Sequence, residues 1–195
     1  RLAHPGAPEQ AGLAAAHDIP TLELASGAPV GYETLVLTTG SRPRGLDVPG
    51  AALPGIHLLR TLDDSTALAT SLGRGGHILV IGAGWIGLEV AAAARQRGLR
   101  VTVIDKAPLL CSRALPPDLS PFMAQLHERH GVEFRMECTV SAFAGQGRVQ
   151  SPTLSDGSEL AVGFVLIGIG IIPDVELARD AGLEIQDGIV VDPSG

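Results

Sequence analysis

Residues 77–106 read "HILVIGAGWIGLEVAAAARQRGLRVTVIDK", and no other stretch of the chain restricts its fold as strongly. Residues 78–81 form an unbroken apolar run, which suits a parallel strand buried on both faces. Residues 86–97 are rich in alanine and stop at Gly98, a residue that readily closes a helix. Residues 101–104 supply a second strand. Between the first strand and the helix stand Gly82, Gly84 and Gly87 in a G-x-G-x-x-G spacing. Gly82 allows the tight turn, Gly84 lets a pyrophosphate approach the main chain, and Gly87 lets helix and strand pack closely. The helix N-terminus adds N–H groups and partial positive charge. The spacing alone is a weak signal, but strand, helix, second strand and an acid all stand in their places.

That acid is Asp105, 21 residues past Gly84. A carboxylate there accepts hydrogen bonds from the adenosine ribose and repels a 2′-phosphate, which favours NAD(H) over its phosphorylated relative. The expected contacts are Gly82, Ala83, Gly84, Trp85, Ile86, Gly87 and Asp105. Lys106 and Arg113 follow on a polar loop, where each either faces a 2′-phosphate or stands in solvent. Glu89 lies one turn into the helix, where the dipole favours an acid whether or not it has a function.

Composition narrows the class. Hydrophobic residues make up 45% of the 195 and aromatics 3%, so Ala, Leu, Val and Ile must build the core. That suits an α/β fold with a parallel sheet under small-residue helices. A net charge of −7 argues against a nucleic-acid ligand. No apolar run approaches a membrane span, and no secretory signal opens the sequence. Cys111 and Cys138 read as two free thiols of a cytoplasmic protein. His4, His17, His57, His77, His127 and His130 show no metal-ligand spacing, so no metal is expected.

A repeat sets the domain plan. Residues 21–43 and 153–173 correspond at an offset of 130: Gly27 meets Gly157, "LVL" meets "VLI", Gly40 meets Gly170 and Pro43 meets Pro173. The glycine loop precedes Gly170 by 88 residues, and the same interval before Gly40 falls ahead of residue 1. The expectation is the tail of one dinucleotide domain followed by a whole second one. The start at Arg1 rather than Met fits a piece of a longer protein. Gly40, which meets Gly170 in this correspondence, is a candidate cofactor contact. Elsewhere, residues 1–20 read as a loop lead-in. Strands are expected at 21–24 and 33–38 around a turn at Ser26 and Gly27, and a helix at 63–72. A further helix at 117–130 should stop at Gly131. Strands at 133–136 and 139–143 come next, then a hairpin from the second repeat copy and a last strand at 164–167.

"LVLTTGSRPR", "LRTLDD", "GAGWIGLEVAA", "GIGIIPDVELARDAGL" and "DGIVVD" together resemble the flavin-dependent ferredoxin and rubredoxin reductases of the pyridine nucleotide–disulfide oxidoreductase superfamily. The resemblance runs from about residue 21 to 195. It implies a Rossmann-like NAD domain inserted into an FAD domain. Residues 1–44 would end the first FAD segment, 45–170 would be the NAD domain, and 171–195 would begin the return. It implies that Arg60 reaches the flavin nucleotide, that Glu89 sits near the nicotinamide, and that Gly168, Ile169 and Gly170 lie along bound NAD.

Four features depart from the family pattern. The first FAD glycine loop, the later Gly-Asp flavin motif and the C-terminal interface domain are missing, and Asp174 stands where Asn is usual. The redox-active cysteine pair is also absent, as is normal for this branch. The implied chemistry is hydride transfer from NADH to FAD, then single electrons to an iron–sulfur or rubredoxin-type carrier. The piece alone should bind NADH, lack flavin and reduce no dye. Alternatives are an NADH oxidase or nitrite-reductase flavodomain, or a non-catalytic NAD-sensing module.

Overall fold

A computed structural model describes residues 20–193. His4, His17 and nearly all of the expected lead-in lie outside the described residues. The chain divides into two compact units. One is Pro43–Ile171; the other combines residues before 43 with those after 171.

In the latter unit, β1 (Thr21–Glu23) and β2 (Pro29–Gly31) form a hairpin with Thr21 opposite Gly31. Gly27 makes the turn at φ 80°, with its N–H donating to Leu24 O at 2.8 Å. This turn brings residues 29–31 into register with 21–23. The strand expected at 33–38 does not form, and Val36 is 74% exposed. An apolar run becomes a strand only where a neighbour takes its main-chain groups, and no described strand pairs with this one. β3 (Ser41–Pro43) follows.

The unit Pro43–Ile171 holds the sheet. Its elements are β4 (Ile56–His57), α1 (Leu62–Gly73), β5 (His77–Ile81), α2 (Trp85–Gln96), β6 (Arg100–Asp105), α3 (Ser120–Arg129) and β7 (Val132–Met136). β8 (Val140–Ala144), β9 (Ser151–Leu154) and β10 (Phe164–Ile167) complete it. β4, β10, β5, β6 and β7 lie side by side in that order, all parallel. Every residue of β5 and β10 is buried, which explains their unbroken apolar sequences.

Alternate residues feed two cores. Ile78, Val80, Val101, Val103, Phe164 and Leu166 pack under α1 and α2 residues such as Leu68, Leu72, Leu88 and Ala91. Leu79, Ile81, Ile104, Val165 and Ile167 pack on the opposite face against Val140, Phe143, Val149 and Leu154 of the β8–β9 arm. Small aliphatic side chains thus fill both layers, as the aromatic-poor composition requires.

The helix expected at 117–130 is two pieces, a 3₁₀ turn at Pro117–Leu119 and α3. Pro121 carries no N–H, so it fits the first turn of a helix that begins at Ser120. Gly131 at φ 83° ends it. The second-copy hairpin reduces to a single bridge, Thr153 to Glu159, with Leu154 N–H donating to Ser158 O at 2.8 Å and Leu160 N–H to Pro152 O at 3.1 Å, while β9 also pairs with β8. Past β10, β11 (Ile171–Pro173) pairs with β3 and leads to α4 (Glu176–Asp180). The departure at Asp174 has a local partner: its carboxylate accepts from Arg42 Nη1 at 2.7 Å.

Candidate nucleotide-binding site

The site begins where chain direction splits across the sheet. β5 leads through α2 to β6 on one side, while β10 arrives late on the other. Ligands of open parallel sheets bind at the C-terminal strand ends by such a split. The loop after β5 carries Gly82, Gly84 and Gly87, and residues 168–170 leave β10 beside it. Gly168 N–H donates to Ile81 O at 2.7 Å, and Gly82 N–H donates to Ile104 O at 2.8 Å.

The three glycines differ in what the protein needs from them. Gly82 has φ 111°, and a Cβ there would stand 2.3 Å from Gly168 O. A Cβ on Gly87 would stand 2.0 Å from Gly82 O and 3.2 Å from Val80 Cγ1. Both glycines are therefore required by the fold. Gly84 is not: its φ is −83° and a Cβ would meet nothing within 4 Å. The space in front of it is open. Gly84 is also the N-cap of α2 and makes no side-chain cap, so the first-turn N–H groups face that space. By contrast, Thr61 and Asp64 close the N-terminus of α1 with a reciprocal capping box.

Asp105 points at the glycine loop. Its Oδ2 accepts from Ala83 N–H at 2.7 Å and its Oδ1 from Ala107 N–H at 2.8 Å. Ala83, only 1% exposed, is held on its other side too: Cys111 N–H donates to Ala83 O at 2.9 Å, and the Cys111 thiol lies 3.6 Å from the same oxygen. The Ala83 N–H is thus engaged by protein, which leaves Gly84, Trp85 and Ile86 as the N–H groups nearest the open space. Each carboxylate oxygen of Asp105 retains a second lone pair for a ribose hydroxyl. The sequence carries no signal for Cys111, whose main chain adopts φ 50° to reach this position. Burial pushes the Cys111 thiol pKa up, and Asp105 adds to the effect, so it stays a thiol.

Trp85 is 48% exposed and Ile86 46% exposed. Trp85 and Glu89 share the face of α2 that lines a groove of about 480 Å³ against α3, with Leu88, Met123, Leu126 and His127 among its walls. Lys106 is exposed after β6. Arg113 is exposed, and its Nη1 would lie 3.7 Å from a Cβ on Gly170. That sets Arg113 at the exit of β10, with β5 between it and the Asp105 end of β6. The structure brings residues 82–87, Asp105 and residues 168–170 together. Arg60 instead precedes the α1 cap, its N–H donating to Asp64 Oδ2 at 3.0 Å. Gly40 belongs to the other unit, where its oxygen accepts from Asp174 N–H at 3.0 Å. Among the described residues no group of His, Cys, Asp and Glu could hold a metal ion. No helix there is long and apolar enough to cross a membrane.

Residues 10–195 match the family "Pyridine nucleotide-disulphide oxidoreductase". Rhodocoxin reductase of Rhodococcus erythropolis is 42% identical, over 90% of this chain and 41% of that protein. The crystal structure of a ferredoxin reductase for the CYP199A2 system of Rhodopseudomonas palustris superposes with a TM-score of 0.85. It is 43% identical over 88% of this chain and 43% of that one. A covalent putidaredoxin reductase–putidaredoxin complex gives a TM-score of 0.82 at 36% identity, over 89% of this chain and 43% of its own. The chain spans about two fifths of the length of these relatives.

Proposed function

The chain belongs to the pyridine nucleotide–disulphide oxidoreductase family, and on that premise we propose that it is the NADH-binding part of a ferredoxin-reductase-type flavoprotein. The whole enzyme passes hydride from NADH to FAD, then single electrons to a ferredoxin- or rubredoxin-type carrier in the cytoplasm. The observation that carries this reading is Gly84: the fold has no use for a glycine there, and a pyrophosphate does. The similarity to reductases that serve a cytochrome system and putidaredoxin supports the choice of acceptor class.

The residues have distinct tasks. The open N-terminus of α2 offers N–H donors and its dipole to the pyrophosphate. Asp105 holds the loop and presents its remaining lone pairs to the adenosine ribose. Residues 168–170 form the opposite lip. Trp85 and Glu89, at the start of α2, stand on the nicotinamide side, and Glu89 orients that end. Bound NADH and flavin would supply the hydride and electron chemistry. For the flavin this chain offers Arg60 and the Gly40 turn but no second glycine loop, so no flavin step is assigned to its residues. We take 45–170 as the NADH domain and the flanking segments as parts of the FAD domain.

Trp85 is the only tryptophan in the chain and stands inside the glycine loop, so its fluorescence reports binding directly. NADH should quench it saturably, with energy transfer to the nicotinamide, and NADPH should bind about 10-fold more weakly or worse, a difference of ~1.4 kcal/mol. Tighter binding of NADPH would mean that Lys106 or Arg113 overrides Asp105. Absence of saturable quenching by either coenzyme would refute the assignment.

A further inference from the structure

At the end of the sheet remote from the glycine loop, a buried histidine faces two groups that compete for one nitrogen. His77 opens β5 and is 7% exposed. Its Nδ1 lies 2.8 Å from Ala161 O and also 2.8 Å from Arg100 Nη2. Its Nε2 lies 2.9 Å from Thr102 Oγ1, whose hydroxyl donates to Glu133 Oε2 at 3.3 Å. Glu133 Oε1 in turn accepts from Arg135 Nε at 2.8 Å. A guanidinium only donates and a carbonyl only accepts. Nδ1 therefore serves Arg100 when it carries no proton, and Ala161 when it carries one. Because Thr102 gives its proton to Glu133, its oxygen accepts from Nε2–H. That selects the neutral ring with the proton on Nε2, which leaves Nδ1 to Arg100.

We propose that His77 is a proton-operated latch. Neutral, it anchors Arg100 and completes a one-directional chain of hydrogen bonds from Arg100 through His77 and Thr102 to Glu133. Protonated, it releases Arg100 and grips the carbonyl of Ala161. The segment it grips runs from β9 into β10, and His77 already holds that segment through its main-chain oxygen, which accepts from Gly163 N–H at 2.8 Å. Acid thus tightens the crossover and frees a cation on β6. The charged groups acting on the ring all come from one side of β5: Arg100 from the adjacent β6, and Glu133 and Arg135 from β7 beyond it. Burial pushes the ring pKa down most. The Ala161 carbonyl opposes that, Arg100 adds to it, and Glu133 and Arg135 pull in opposite directions. The latch therefore turns below the ordinary histidine value. Its operation is independent of what the glycine loop binds.

Long-range proton–nitrogen NMR of the histidine-labelled chain tests this. At pH 8 the His77 spectrum should show Nε2 protonated and Nδ1 bare. Acid should protonate both, with a midpoint below about 6.5. Arg100→Met removes the donor to Nδ1 and a charge that favours the neutral ring, so the midpoint should rise. A protonated Nδ1 in the unmodified chain at pH 8 overturns the proposal, and that reading does not depend on how the variant folds. An unchanged midpoint in Arg100→Met would overturn it as well.

Discussion

At the scale of single residues, the glycine loop separates what the fold requires from what a ligand requires. Gly87→Ala puts a Cβ 2.0 Å from the Gly82 carbonyl, a main-chain atom that cannot swing aside. The expected cost is about 3 kcal/mol or more, seen as a melting temperature lower by roughly 5–10 °C. An unaltered melting curve would mean that α2 and β5 are farther apart than described. Asp105→Asn tests the clamp on Ala83. Asparagine has one acceptor oxygen, so either Ala83 N–H or Ala107 N–H must lose its partner. We expect a loss of about 1–3 kcal/mol in stability, read from a urea unfolding curve, and roughly 10-fold weaker NADH binding, read by titration calorimetry. The turn at Gly82 and the close helix–strand packing at Gly87 were legible from spacing, because each is tied to local geometry, whereas the hold of Asp105 on Ala83 N–H was not, since the spacing pointed only to a ribose. The attachment of Cys111 to Ala83 was not, since a main-chain hydrogen bond across 28 residues leaves no mark on residue type.

At the scale of elements, legibility followed local completeness. β5, α2 and β6 carry their own start and stop signals, and the structure matches them within a residue or so. The apolar run at 35–37 misled because strand formation depends on a neighbour that sequence does not display. Residues 117–130 read as one helix, although a 3₁₀ turn at Pro117–Leu119 precedes α3, which carries Pro121 in its first turn.

Element junctions also set the pH response. His57, bonded to Ser71 Oγ at 2.9 Å, has its pKa lowered by burial and then by Arg148 and Arg74. His77 and His127 are likewise lowered, with burial the leading cause. A histidine whose folded pKa is lowered binds its proton first in the unfolded chain. Its contribution is fully present above about pH 6.5 and is lost as pH falls through the folded value. For Glu133, burial raises the pKa, but the Arg135 and Thr102 hydrogen bonds outweigh it, so its contribution persists until more acid conditions. Urea midpoints should therefore be flat from pH 8 to 7 and decline below about 6.5. A midpoint that rises on acidification through this range would contradict the burial of these rings.

At the scale of the whole molecule, the repeat of residues 21–43 at 153–173 was the most informative long-range signal. It suggested the tail of one dinucleotide domain followed by a second with its own glycine loop. What sequence did not convey is the late arrival of β10 between β4 and β5, which sets residues 168–170 against the loop. That crossover makes a cleft from Gly82 and Gly168, 86 residues apart, and it explains why Gly82 tolerates no side chain. The same cleft leaves Gly84 facing open space. Gly84→Ala should change stability by about 1 kcal/mol or less, since only an N-cap preference is altered. It should weaken NADH binding by at least about 10-fold. The decisive measurement is an NADH titration of Gly84→Ala followed by Trp85 fluorescence, with its melting curve recorded alongside. A native-like melt with NADH binding lost is the result predicted; a native-like melt with NADH bound as tightly as before would contradict the claim that the pyrophosphate rests on this main chain.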